Sequence, residues 1–170
     1  MPVGAQFAAH SVTGLAITYR GNSFIGRSAN NAAGKAAFGF NASTPDLVFE
    51  RNIVVRGAGD TTNSTLFWTG GAGPVGTLDR NIYVAASLGL SHYCSKTFSV
   101  FKSTFSVDAN SIETLTNPLD GTYAPLNPSS AYQVAPLSYP ARDVDGRWRN
   151  NPACIGAREY VAPRPPRSRS

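Results

Sequence analysis

Apolar and polar positions alternate in short runs along the first half of the chain, and one run occurs three times. Residues 16–25 (AITYRGNSFI), 47–55 (LVFERNIVV) and 77–84 (TLDRNIYV) each place an asparagine between two apolar side chains. Tyr19, Phe49 and Leu78 stand three residues before it, and Phe24, Val54 and Tyr83 two after it. Asn22, Asn52 and Asn81 are 30 and 29 residues apart. A fixed period of this size marks a solenoid, in which each coil buries its apolar face against its neighbours.

The alternation predicts strands over 15–25, with Arg20-Gly21 as a corner and Ile17, Tyr19 and Phe24 pointing inward. It predicts a second strand over 36–40 and another over 64–68. Phe38 and Phe40 precede Leu66 and Trp68 by 28 residues, nearly the asparagine period. Strands in the same position of successive coils become parallel neighbours about 4.8 Å apart. Gly, Pro and Asn interrupt every window that a helix would need. The pattern stops after Val84. Residues 97–108 (TFSVFKSTFSVD) suit a short amphipathic helix or a strand, and from Asn117 the Pro, Asn and Ser content predicts loop. Residues 163–170 (PRPPRSRS) read as a disordered basic tail. The expected organisation is coils over 1–95, a C-terminal cap over 96–162 and the tail over 163–170.

Composition sharpens this picture. A chain of 170 residues fits one domain, and a charged content of only 15% with many turn residues suits an all-β protein. The net charge of +5 misleads as a global property, because Arg164, Arg167 and Arg169 crowd the last ten residues. Nothing gathers basic residues on a folded face, so nucleic acid is not an expected partner. The longest apolar stretch, 82–90, is too short to span a bilayer. Residues 1–6 carry neither a basic nor an apolar signal region. Low charge with abundant Ser, Thr and Asn points to an extracellular or cell-surface location. Cys94 and Cys154 form either one disulfide or two buried thiols; no zinc spacing accompanies them.

Near the C-terminus, Asp143-Val144-Asp145-Gly146-Arg147-Trp148-Arg149 and Ile155-Gly156-Ala157-Arg158-Glu159-Tyr160 resemble a closing D-x-D-G-x-x-R … D-I-G-A-x-E-Y signature. That signature belongs to secreted right-handed parallel β-helix proteins of the pectate-lyase-like superfamily. The segments around Asp108-Ala109-Asn110-Ser111-Ile112 and Asp120-Gly121-Thr122-Tyr123 are similar to what precedes it. The resemblance implies a short right-handed parallel β-helix of about three coils, with the closing segment capping the last coil's open edge. Cys154 stands where the family has an aspartate and Arg158 where it has an aromatic. The segment around Pro128-Ser129-Ser130-Ala131 is one residue shorter than the family's.

Candidate chemistry is sparse. Asn22, Asn52 and Asn81 suit a structural ladder of stacked amides more than a ligand stripe. Arg20, Arg51 and Arg80, beside Glu50 and Asp79, read as a solvated row that could alternatively hold an acidic glycan, with Trp68 as an aromatic contact. A β-helix lyase needs a basic residue, and Ca²⁺ or arginine against a uronate carboxylate. No repeating position of Asp46, Asp60 and Asp79 supplies that, so no cofactor is expected and Ca²⁺ enters only for a lyase. His92-Tyr93-Cys94-Ser95-Lys96 is a local cluster of reactive types without a third orienting group. These readings favour a non-catalytic extracellular module, carbohydrate-binding or structural, that could form the C-terminal part of a longer polysaccharide-acting protein. The competing classes are a polysaccharide lyase or glycosidase, and a fibre or virion-surface protein. Self-association through the open N-terminal coil is a further expectation.

Overall fold

The computed structural model describes residues 8–10, 17–26, 36–40, 47–56, 65–68, 76–85, 88–89, 91, 93–126, 142–149, 154–158 and 160; for 8–10, 36–40, 56 and 65–68 it describes the backbone. Ten strands and one helix follow in order: β1 Ala8–His10, β2 Ile17–Arg20, β3 Ser23–Gly26, β4 Ala36–Phe40, β5 Leu47–Glu50, β6 Ile53–Arg56, β7 Thr65–Trp68, β8 Gly76–Asp79, β9 Ile82–Val84, α1 Phe98–Phe105 and β10 Ile112–Thr114. Strands join in three sheets, β1-β4-β7, β2-β5-β8 and β3-β6-β9-β10, and every pairing is parallel. The described chain is therefore all-β with a single short helix.

The register shows how the sequence keeps its period. β2 pairs with β5 and β3 with β6 at an offset of 30, whereas β5 pairs with β8 and β6 with β9 at 29. The missing residue lies in the connection after β6, which has eight residues (57–64) where the one after β3 has nine (27–35). A connection absorbs a deletion that a strand cannot, because a one-residue slip would turn every side chain to the other face. The same deletion corrects the register expected for the second strand. Phe38 pairs with Phe67 and Gly39 with Trp68, an offset of 29, so the match of Phe38 and Phe40 to Leu66 and Trp68 is a coincidence of aromatic spacing.

The sheet β3-β6-β9 is covered on both faces, which explains its unbroken apolar runs. Phe24, Val54 and Tyr83 point into the main core with Leu47, Phe49 and Leu78. Ile25, Ile53, Val55, Ile82 and Val84 point the other way, against Leu119 and Ile155. Tyr19, Phe24 and Phe49, on β2, β3 and β5, pack ring to ring at 5.8–6.0 Å. Phe49, fully buried, contributes about 1.5–3 kcal/mol by that burial, and the half-buried Tyr19 and Phe24 less.

Within residues 97–108 the chain forms a helix, Phe98–Phe105, and not a strand. Thr97 caps α1 by accepting from Val100 N–H at 3.4 Å, and Ser106 closes it in a left-handed conformation at φ 54°. Phe98 and Phe101, one turn apart, join the main core against Tyr83 and Tyr93 at 5.5 Å. Parallel pairing then resumes with β10 on β9, so the sheet continues beyond residue 95.

Of the closing segment, residues 142–149, 154–158 and 160 are described. These run across the flank of the sheet, back to its first strand. Ile155 packs beside Ile53 and Ile82, and Ala157 N–H donates to Ser23 Oγ at 3.1 Å. Gly156 makes this approach feasible, since a Cβ there would lie 2.8 Å from both Ile53 Cδ1 and Ser23 Oγ. The Arg149 guanidinium fixes the strap by donating to the carbonyls of Cys154, Gly156 and Ala157 at 2.8–3.2 Å. The rigid planar fork presents its donors to these three carbonyls in a fixed geometry that a flexible lysine ammonium would not reproduce. The tail over 163–170 lies outside the described residues.

Candidate functional site

The repeated asparagines stand between paired strands of one sheet and paired strands of the next. Asn22 N–H and Nδ2 both donate to Asn52 Oδ1, at 3.0 and 3.1 Å, and Asn52 N–H and Nδ2 repeat this onto Asn81 Oδ1, at 3.0 and 3.2 Å. The second amide hydrogens reach carbonyls of the neighbouring strand, Asn52 to Tyr19 at 3.0 Å and Asn81 to Phe49 at 2.7 Å. The residue before each asparagine takes a left-handed conformation: Gly21 at φ 70°, Arg51 and Arg80 at 55°. That kink turns the chain from one sheet into the next and aims the amide along the stack.

The ladder ends in chemistry that the asparagine pattern does not announce. Thirty residues after Asn81 stands Ser111, whose Oγ accepts Asn81 N–H at 2.8 Å. Asp108 then takes Asn81 Nδ2 at 2.9 Å, the Ser111 hydroxyl at 2.5 Å and the Tyr83 hydroxyl at 3.1 Å. Asp108 is fully buried, and desolvation raises its pKa above the ordinary carboxylate value against the lowering effect of these donors. Burial and the neighbouring Asp108 charge likewise push Tyr83 well up. Asn81, Tyr83, Asp108 and Ser111 are all closed to solvent, so this cluster terminates the ladder and offers nothing to a substrate.

The three arginines do not form one row. By register Arg20 lies beside Glu50 and Asp79, while Arg51 and Arg80 occupy the next position, that of Gly21. Arg20 binds Glu50 at 2.8 Å; Arg51 is 6% exposed and shares that carboxylate at 3.2 Å; Arg80 lies 3.9 Å from Asp79. Asp79 is further held by Asn110 N–H and Nδ2. Burial tends to raise its pKa, but these bonds and Arg80 bring it below the usual range. The expected solvated row is thus a set of local ion pairs, one of them buried. Trp68 lies on β7, in a different sheet, with its side chain outside the described residues.

Cys94 and Cys154 are two buried thiols, the second of the alternatives open from the sequence. Cys94 lies in the aromatic core with Tyr93 and Phe98, and Cys154 belongs to the strap held by Arg149. His92 lies outside the described residues, and the buried Tyr93 donates its hydroxyl to Glu113 at 3.0 Å. Among the described residues no three His, Cys, Asp or Glu side chains gather as a metal site, and no helix is long and apolar enough to cross a membrane.

What the structure adds is a pair of surface loops built on one hydrogen-bond plan. In the first, Asp120 N–H donates to the Ala124 carbonyl and Tyr123 N–H to the Asp120 carbonyl, while Asp120 Oδ1 accepts Thr122 N–H and Ala124 N–H. In the second, Asp143 N–H donates to the Arg147 carbonyl and Gly146 N–H to the Asp143 carbonyl, while Asp143 Oδ1 accepts Asp145 N–H and Arg147 N–H. Each aspartate side chain replaces a backbone acceptor and fixes its loop. Donors to the carboxylate, Thr122 first, hold Asp120 below the ordinary carboxylate range. Arg158 joins the loops, donating to the Thr122 carbonyl of one and binding the Asp145 carboxylate of the other at 3.3 Å.

The surface of these loops carries large exposed side chains: Tyr123, Leu126, Val144 and Trp148, the last 68% exposed. The Arg142 guanidinium lies 4.0 Å from the Trp148 ring centroid and donates to the Gly146 carbonyl at 2.6 Å. The ring thus carries a cation–π contact while remaining open to solvent. Sequence reading found Asp143 to Arg149 as a signature but not as a surface, because the partner loop shares only the leading aspartate. Comparison of the chain with family models, with curated proteins and with solved structures found no match.

Proposed function

We propose that the three parallel sheets are the faces of a short right-handed parallel β-helix of the pectate-lyase-like kind, and that the chain is a non-catalytic extracellular module binding carbohydrate through the paired loops. The observation that carries this reading is Trp148, exposed yet in cation–π contact with Arg142. An aromatic ring offers an apolar face to the C–H side of a sugar. Thr122, Asp145 and Arg147 stand exposed on the same loops; Thr122 donates its hydroxyl to Asp120 and Arg147 pairs with Asp145, and their remaining polar capacity suits hydroxyls. The candidates read from the sequence supply less: the asparagines are consumed in the ladder, and the arginines bind neighbouring carboxylates.

Electrophoresis through gels containing neutral or uronate-containing polysaccharides tests the proposal. The native chain should be retarded by at least one polymer, and Trp148→Ala should migrate as in a plain gel with an unchanged melting midpoint. Equal retardation of native and variant chains would refute the reading.

A further inference from the structure

Tyr123 is the only aromatic residue with a left-handed backbone among the described residues, at φ 65°. A bulky side chain is a true outlier there, because its Cβ crowds the following carbonyl. The twin loop shows what the position needs. Its equivalent, making the same N–H bond to the leading aspartate's carbonyl, is Gly146 at φ 75°. Nor is the tyrosine held there by the core, since its side chain is 53% exposed. Backbone strain kept at an exposed aromatic, where the same loop plan elsewhere uses glycine, points from the outlier to a function of the side chain.

Arg158 supplies the second observation. One guanidinium reaches the carbonyl of Thr122, next to Tyr123, and the carboxylate of Asp145, on the loop that carries Trp148. The two loops are therefore side by side, at a spacing set by one rigid fork. Its cation also helps to hold Asp120, the organiser of the first loop, in its charged form.

We infer that Tyr123 and Trp148 are two subsites of one surface for an extended glycan chain, with Arg158 as the positioning residue that sets their separation. This rests on the carbohydrate reading of Trp148 and goes beyond it: the ligand is an oligomer spanning both loops, and a disaccharide fills one subsite only. Linked contacts of this kind make affinity rise with chain length.

Calorimetric titration with cellohexaose, xylohexaose and hexagalacturonate, each beside its disaccharide, tests the inference. The native chain should bind at least one hexasaccharide more tightly than its disaccharide. Tyr123→Gly should weaken the hexasaccharide by about tenfold, a change equivalent to about 1.4 kcal/mol, and leave the disaccharide unchanged. Its melting midpoint should stay the same or rise, because glycine is unstrained at this φ. Arg158→Met should also erase the length dependence while sparing the disaccharide, a split that loss of general stability does not produce. If Tyr123→Gly binds the hexasaccharide as the native chain does while Trp148→Ala does not, the two-subsite inference fails and the carbohydrate reading stands. A lower midpoint in Tyr123→Gly would assign the tyrosine a structural role and overturn the inference. No binding of any oligomer by the native chain would overturn both.

Discussion

Replacing Asn52 by alanine removes the middle rung of the ladder, and its cost can be worked from the bonds lost. Asn52 Nδ2 donates to Asn81 Oδ1 and to the Tyr19 carbonyl, and Asn52 Oδ1 accepts Asn22 N–H and Nδ2, all within 3.2 Å. Four bonds at about 0.5–1.5 kcal/mol each set a gross range of roughly 2–6 kcal/mol. Two corrections narrow it. Asn22 is half-buried, so water replaces part of what its donors lose, and Asn81 Oδ1 keeps Asn52 N–H at 3.0 Å. The expected loss is about 2–4 kcal/mol. Asn22→Ala is the control, because it removes one rung bond and leaves Asn52 Oδ1 with Asn22 N–H; it should cost about 0.5–1.5 kcal/mol. Urea unfolding with linear extrapolation measures both, provided the slope m is unchanged. Equal losses in the two variants, or a loss under 1 kcal/mol at Asn52, would refute the ladder as a cooperative support.

Other perturbations probe the flank and the ladder's end. Gly156→Ala forces a Cβ against Ile53 and Ser23 and strains a residue at φ 98°, so it should destabilise by about 1–3 kcal/mol in the same urea assay. The raised pKa of Asp108 means that its stability contribution is full below the unfolded value of 3.8 and is lost as pH rises through the higher folded value. Asp108→Asn keeps an acceptor for Asn81 and Ser111 and places an amide donor near the Tyr83 hydroxyl. Measured from pH 3 to 7, its stability relative to the native chain should improve as pH rises; a flat difference would contradict a buried titrating carboxylate.

The parts of the fold legible in the sequence are those where a backbone demand recurs at the same place. The ladder needs an amide at the corner of each repeat, so Asn22, Asn52 and Asn81 stand out at their period. Ser111 keeps that period from Asn81 but not the residue type, and Asp108 stands in a core-facing position where a carboxylate is unexpected. The end of the ladder was therefore hidden. Aromatic residues misled the register of β4 and β7, because Phe67 and Leu66 are equally apolar and only backbone pairing tells them apart. Arg20 resembles Arg51 and Arg80 in sequence, yet it stands one position earlier in the corner, and of the two at the later position Arg51 is buried while Arg80 is exposed, a difference that the shared motif does not mark. The paired loops were illegible for a different reason. They share hydrogen bonds made by backbone and one aspartate, a pattern that leaves little mark on residue identity.

The most direct test of the central claim is amide chemical-shift mapping of isotope-labelled chain titrated with the hexasaccharide of the retarding polysaccharide. The account predicts perturbations concentrated at 120–126 and 142–149, together with the indole N–H of Trp148. Perturbations centred instead on 20–21, 50–51 and 79–80, with those loops unmoved, would contradict it and return the binding role to the arginine corner.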